Sequence, residues 1–138
     1  MSVRLVAFEQ RHRDALLPQD HQLDDLKDAP SRPVGQAWAA LVGEHPICIG
    51  GYYEIWRQRA YAWALVGRDA GPHMVALTRA IRSELGAAPF ARIEMVVEKD
   101  FRAAERWAIA LGFQLETPVA LRRFLPSGRD AWIYSRIK

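Results

Sequence analysis

Val3, Leu5 and Ala7 alternate with Arg4 and Val6, the period of a short strand with one face turned inward. Residues 10–17 predict a short helix, stopped at Pro18. Leu23 and Leu26 stand three apart in a polar stretch, the spacing of one helical turn, before Pro30 and Pro33 break the chain. Residues 21–34 therefore read as a surface segment. Residues 36–42 and 47–55 then predict two strands around a turn at Gly43, Glu44, His45 and Pro46, a hairpin. Gly50 and Gly51 inside the second strand predict a bulge or a close backbone approach. After a polar turn at 56–59, residues 60–66 predict a further strand, with Tyr61, Trp63 and Leu65 on alternate positions.

The period changes after Gly67. Met74, Leu77, Thr78, Ile81 and Leu85 fall at helical spacing, with Arg79, Arg82 and Glu84 outside the apolar stripe. Pro72 suits the first turn of that helix and Gly86 its C-terminal end. Residues 91–97 predict a strand, and Asp100 is placed to cap a helix whose inner positions are Phe101, Ala104, Ala108 and Leu111, ended by Gly112. Residues 113–115, 120–125 and 131–137 predict closing strands. A meander followed by alternating helices and strands implies an α/β (α+β) fold. The expectation is one domain over residues 1–138, with a mixed, mostly antiparallel central sheet of about six to seven strands and helices on both faces.

Composition adds bounds to that picture. The 138 residues fit one domain, and half are hydrophobic, enough for a core without disulfide or metal staples. One cysteine, Cys48, excludes an intrachain disulfide and suits a reducing cytoplasm. The formal charge of +3 is mild, and acidic residues are interspersed with basic ones. No specific nucleic-acid partner follows from it; an anionic small ligand would account for it. No window is apolar and long enough to span a membrane, and residues 1–8 carry no signal-peptide pattern, so a cytoplasmic protein without a membrane partner is expected.

The loop Gly67-Arg68-Asp69-Ala70-Gly71-Pro72-His73 joins a strand directly to a helix. Such a junction is a ready anion site: unpaired N–H groups at the helix N-terminus point outward, and the helix dipole adds partial positive charge. Glycine lets a phosphate approach the backbone, and Arg68 and His73 can add charge. Pro72 removes one donor, and an ordinary β-to-α turn would look the same.

At this loop the order of elements resembles the GNAT superfamily of N-acetyltransferases. That family places Arg/Gln-x-x-Gly-x-Gly/Ala between its fourth strand and the next helix. Arg68 and Gly71 match this pattern, and His73 stands at its last position. The family's Val-x-x-x-Asn-x-x-Ala-x-x-x-Tyr-x-x-x-Gly-Phe is matched at Val97, Ala104, Gly112 and Phe113. It departs at Phe101, in place of the cofactor-contacting Asn, and at Ala108, in place of the Tyr that serves as acid. Within the family the chain most resembles small phage-encoded GNAT-like proteins of the internal-virion-protein-A type. The likeness lies in 38–42, 61–66 with Ala70-Gly71-Pro72, Arg106-Trp107, Leu111-Gly112-Phe113, Arg122-Arg123-Phe124, Gly128-Arg129-Asp130 and Tyr134.

The resemblance implies an acyl-CoA-dependent N-acetyltransferase that takes acetyl-CoA (coenzyme A) and an unidentified amine. The alternative it implies, placed second, is a catalytically degenerate phage structural or assembly protein that meets other phage proteins in the virion. It implies cofactor contacts at Leu65, Val66, Arg68, Ala70, Gly71, His73 and Met74, with a backbone N–H near Leu65 and Val66 as oxyanion donor. Acyl transfer to an amine also needs a base and a donor for the leaving thiolate. Glu54, Glu94 and Glu98 are the candidate bases; Glu94 either serves the cleft or pairs with a neighbouring arginine such as Arg92. Tyr134 is the first candidate acid, with Tyr52, Tyr53 and Tyr61 behind it. The four histidines show no metal-ligand spacing, and Cys48 reads as a buried, inert thiol. Trp107 reads as core or as a wall of the cofactor channel. The arginines at 122, 123, 129 and 136 read as a solvated face, or as a contact for an acidic partner or the cofactor's nucleotide phosphate.

Overall fold

The N-terminal alternation becomes β1 (Val3–Ala7), followed by α1 (Gln10–Ala15), in the computed structural model, which describes residues 2–19 and 35–138. A reciprocal capping box starts α1: Glu9 N–H donates to His12 Nδ1 at 3.0 Å, and the Glu9 side chain accepts from the His12 backbone. The helix ends two residues before the expected Leu17. Leu16 turns extended, and its side chain buries against Ala39, Leu41 and Ile49. The turn expected at Leu23 and Leu26, and the segment 21–34, lie outside the described residues.

β2 (Gln36–Val42) and β3 (His45–Trp56) form the expected hairpin around Gly43, whose φ of +61° favours glycine. β3 is longer than 47–55 because His45 and Pro46 already pair with Val42 and Leu41. The register shifts fall at Ile47 and Ile55 of β3, which have no opposite residue on β2 and on the following strand respectively, and not at Gly50 and Gly51. The close approach does hold: a Cβ on Gly51 would sit 2.1 Å from the Gln36 carbonyl oxygen. β4 (Arg59–Val66) returns antiparallel along β3.

A 3-10 turn at Gly71–His73 leads into α2 (Met74–Ala87). Gly86 lies inside α2 and does not end it. The helix stops at Ala88, which turns extended and buries its methyl group. β5 (Arg92–Glu98) follows, then α3 (Arg102–Ala110). Asp100 takes φ +69°, and Phe101 occupies the cap position with no side-chain cap bond, so the expected Asp cap does not form. Gly112, at φ +96°, ends this helix as expected. β6 (Gln114–Leu115) and β7 (Ala131–Ile137) close the sheet. Residues 120–125 are not a strand. Asp130 Oδ1 accepts from Arg123 N–H at 2.9 Å, Arg123 turns to φ +51°, and a single bridge of Leu121 to Ala131 remains.

The seven strands of the described residues run in the order β1-β2-β3-β4-β5-β7-β6. Every neighbouring pair is antiparallel except β4 with β5. Strand alternation sends Trp38, Ala40, Cys48 and Ile93 to one face, where Leu77, Ile81 and Leu85 of α2 and Ala108 of α3 pack against them. Ala39, Leu41 and Ile49 face the other way, toward α1 and Leu16. The mixed α/β architecture with helices on both faces is as expected.

Candidate functional site

β4 and β5 pair only through Arg59 with Arg92, Ala60 with Ile93 and Tyr61 with Glu94. Beyond Tyr61 each strand follows its other neighbour: β4 stays with β3 to Val66, and β5 stays with β7 to Glu98. The two strands part, and the β5-facing backbone edge of β4 over residues 62–66 has no strand partner among the described residues. A cavity of about 890 Å³ opens there, within the size range of small-molecule sites. It reaches both faces of the sheet. On the side of α2 and α3 it meets Val66, Met74, Val97, Phe101 and Trp107; on the side of α1 it meets Ile49, Tyr53, Tyr61, Trp63 and Glu98.

The loop after β4 forms one end of this cavity. Its N–H groups are mostly spent on the fold: Gly67 donates to Ile47 O at 2.7 Å, Arg68 to Leu17 O at 2.8 Å and His73 to Ala70 O at 2.8 Å. Met74 N–H donates to Gly71 O, and Pro72 has none to give. Gly71 N–H has no intramolecular acceptor among the described residues. A Cβ built on Gly71 would meet nothing within 4 Å, so open space lies beside that donor. Gly67 differs: a Cβ there would come within 2.8 Å of Asp69 Oδ1 and 2.9 Å of Ile47 O. Arg68 is exposed and lines the cavity with Ala70 and Gly71. A free N–H, open space, an exposed guanidinium and a helix start fit a phosphate group. The Asp69 carboxylate is engaged by His45 Nε2 at 2.6 Å, while its Oδ1 is buried without a hydrogen-bond partner among the described residues.

Of the expected cofactor contacts, Leu65, Val66, Arg68, Ala70, Gly71 and Met74 line this one cavity and His73 does not. The candidate bases separate. Glu98 lines the cavity and is held by Arg129 Nη1 at 2.8 Å. Glu94 does not line it and is only 6% exposed. Arg59 grips Glu94 at 2.5 and 3.2 Å, and Arg92 grips it at 2.9 Å. Burial alone would raise the Glu94 pKa, but the hydrogen bonds and charges of the two arginines outweigh it and hold the carboxyl below the usual range. Arg59 also lies over the Trp56 ring, 4.4 Å from its centroid.

The tyrosines separate in the same way. Tyr134 is 4% exposed and lies in the core on the α3 side, outside the cavity lining; burial first, then the Glu105 charge, raises its pKa. Tyr52 donates to Gln36 Oε1 at 3.1 Å and stacks edgewise on Phe90. Tyr53 and Tyr61 line the cavity, and burial, with smaller contributions from Tyr53 and Glu94, pushes the Tyr61 phenol up to about 12.

Ala108 is fully buried in the core, whereas Phe101 lines the cavity. Trp107 serves both roles left open for it. It packs on the core, lines the cavity and donates to Thr78 Oγ1 at 2.8 Å. Burial pushes the Cys48 thiol far above its ordinary value, so it stays protonated and inert. Two features escaped sequence reasoning: the Tyr53, Tyr61 and Trp63 wall, and the His45–Asp69 pair. The alternation of Tyr61, Trp63 and Leu65 groups the wall onto one face, but only the parting of the strands makes that face a cavity.

No protein-family model matches the chain, and no curated protein matches it in sequence. Solved structures do. A GNAT-family acetyltransferase from Bacillus anthracis aligns with a TM-score of 0.67 at 12% identity, over 99% of this chain and 95% of that one. Ard1 from Thermoplasma volcanium aligns at 0.73 and 14% identity, over 99% and 98%. An IAA acetyltransferase from Bacillus cereus aligns at 0.72 and 13% identity, over 99% and 100%. At this identity the likeness establishes the fold: the chain is similar along its whole length to acetyltransferases of the GNAT type.

Proposed function

We propose that the protein is an acyl-CoA-dependent N-acyltransferase that moves an acetyl group from acetyl-CoA to an amine. The observation that carries this reading is the parting of β4 and β5 into a cavity that ends on the loop of Arg68, Ala70 and Gly71. Arg68, Gly71 N–H and the start of α2 would hold the pyrophosphate. Met74, Phe101, Ala104 and Trp107 would bound the apolar arm. Acetyl-CoA supplies a thioester whose acyl carbon an amine can attack, with the thiol as leaving group. The unpartnered edge of β4 near Leu65 and Val66 offers the N–H that steadies the developing oxyanion.

Glu98 is the base in this reading, because it lines the cavity and meets one arginine, while Glu94 lies outside the lining and is committed to two. It takes the proton that the amine loses, directly or through water. In this reading Tyr134, which lies in the core outside the cavity lining, takes no part, and the thiolate takes its proton from solvent. The seat of activity in this reading would be the cytoplasm. The phage-assembly reading of the resemblance draws only on Phe101, Ala108, Pro72 and His73, and no observation favours it here.

The reading is tested by thiol release from acetyl-CoA with a panel of amines, comparing the wild type with Glu98→Gln. The substitution is expected to lower kcat by about 100-fold or more with coenzyme A affinity unchanged. Equal rates in the two proteins would remove Glu98 from the chemistry.

A further inference from the structure

The α1 side of the cavity is walled by rings. Tyr53 and Tyr61 pair across β3 and β4, with ring centroids 5.3 Å apart and planes tilted by 38°. Trp63, two residues further along the same face, stands opposite Gly51, whose place for a side chain is taken by the β2 backbone at Gln36 and Ala37. Ile49 and Leu65, the next pair on that face, continue the apolar surface toward the phosphate loop. Against this wall the described lining holds a single carboxylate, Glu98, which Arg129 already half neutralises. The lining also carries two cations, Arg13 and Arg68.

From this arrangement we infer that the acceptor is a primary monoamine bearing a flat apolar group, an arylalkylamine, and not a polyamine or a peptide N-terminus. The inference rests on the acyl-transfer reading of the same cavity. The rings of Tyr53, Tyr61 and Trp63 offer stacking partners to an aryl group and negative faces to an ammonium group. Glu98 marks where one amine is deprotonated: the nitrogen bonds to the acyl carbon, the carbon–sulfur bond breaks, and the thiol leaves with a proton equivalent to the one the amine gave up. A polyamine brings further charges that an apolar wall would have to desolvate with no second carboxylate in the described lining to meet them. Exposed Arg68 adds repulsion. A peptide brings polar backbone groups to a surface that offers them few partners.

The test uses the full chain and the probes phenethylamine, spermidine and a short peptide with a free N-terminus. Titration calorimetry measures binding of each amine with and without coenzyme A, and thiol release measures turnover with acetyl-CoA. Phenethylamine is expected to bind, and to be acetylated with kcat/KM about tenfold or more above either alternative. Trp63→Leu is expected to raise its KM about tenfold while leaving coenzyme A affinity unchanged, and Tyr53→Leu serves as the second variant if the first misfolds. Faster turnover of spermidine or of the peptide overturns the acceptor class and leaves acyl transfer standing. Coenzyme A binding with no phenethylamine binding also overturns it. Ring-dependent phenethylamine binding without any coenzyme A binding supports the aryl site and overturns the acyl-transfer reading instead.

Discussion

Glu94 and Glu98 lie on one face of β5, four residues apart, and the difference between them is their neighbours. The folded-state pKa of Glu94 is lowered, so its ion pairs contribute stability that is complete above the unfolded value of about 4.3 and is lost as pH falls through the folded value. Glu94→Gln is therefore expected to cost about 1–3 kcal/mol at pH 7, and to flatten the loss of stability below about pH 4. Thermal melts of both proteins from pH 7 to pH 3 check this; a difference in melting temperature that fails to shrink on acidification contradicts it. Sequence alternation placed both glutamates on one face but could not say which of them the arginines would claim. Arg59 reaches Glu94 from a neighbouring strand 35 residues away. The two loop glycines divide similarly. Gly67→Ala is expected to destabilise the fold by about 1–3 kcal/mol, because its Cβ meets a carbonyl and a carboxylate. Gly71→Val is expected to leave the melting temperature unchanged and to weaken coenzyme A binding about tenfold or more, because its side chain enters open space beside the free N–H. The sequence marked both as phosphate-loop glycines; only the surroundings distinguish fold from ligand.

The phosphate loop is tied to the β2–β3 hairpin through His45 and Asp69, at 2.6 Å. Asp69 stands between Arg68 and Ala70, both on the cavity, so a free carboxylate there would oppose a pyrophosphate. His45→Ala is expected to weaken coenzyme A binding about fivefold, and Asp69→Asn added to it is expected to restore the affinity. Equal losses in the single and double variants would mean that the pair only braces the loop. Elements with strong periodicity were legible: the hairpin, β4, α2, β5 and β7 lie within one or two residues of their expected bounds, apart from the two extra residues that His45 and Pro46 add to β3. The misses are local. Residues 120–125 look like a strand in composition, but the Asp130 side chain folds them into a turn. Asp100 looks like a cap but sits at positive φ, so Phe101 takes its place. Gly86 looks like a helix end, yet the burial of Ala88 decides where α2 stops.

At the scale of the molecule, the mixed sheet with helices on both faces followed from the order of elements, since an antiparallel meander and a strand–helix–strand unit leave few arrangements. The order β4-β5-β7-β6, and with it the cavity, was not legible from periodicity. Strands 4 and 5 are joined through a whole helix, and nothing in either strand says where their pairing stops. The resemblance implied only a cofactor loop and a backbone N–H near Leu65 and Val66, and the solved acetyltransferase structures agree with the chain in fold. The same cavity carries the central claim, that this fold holds coenzyme A between its parted strands. Calorimetric titration of the full chain with coenzyme A tests it most directly. The account predicts saturable binding that Gly71→Val weakens about tenfold or more without lowering the melting temperature. No heat of binding at millimolar coenzyme A, from protein shown to be folded, would contradict it.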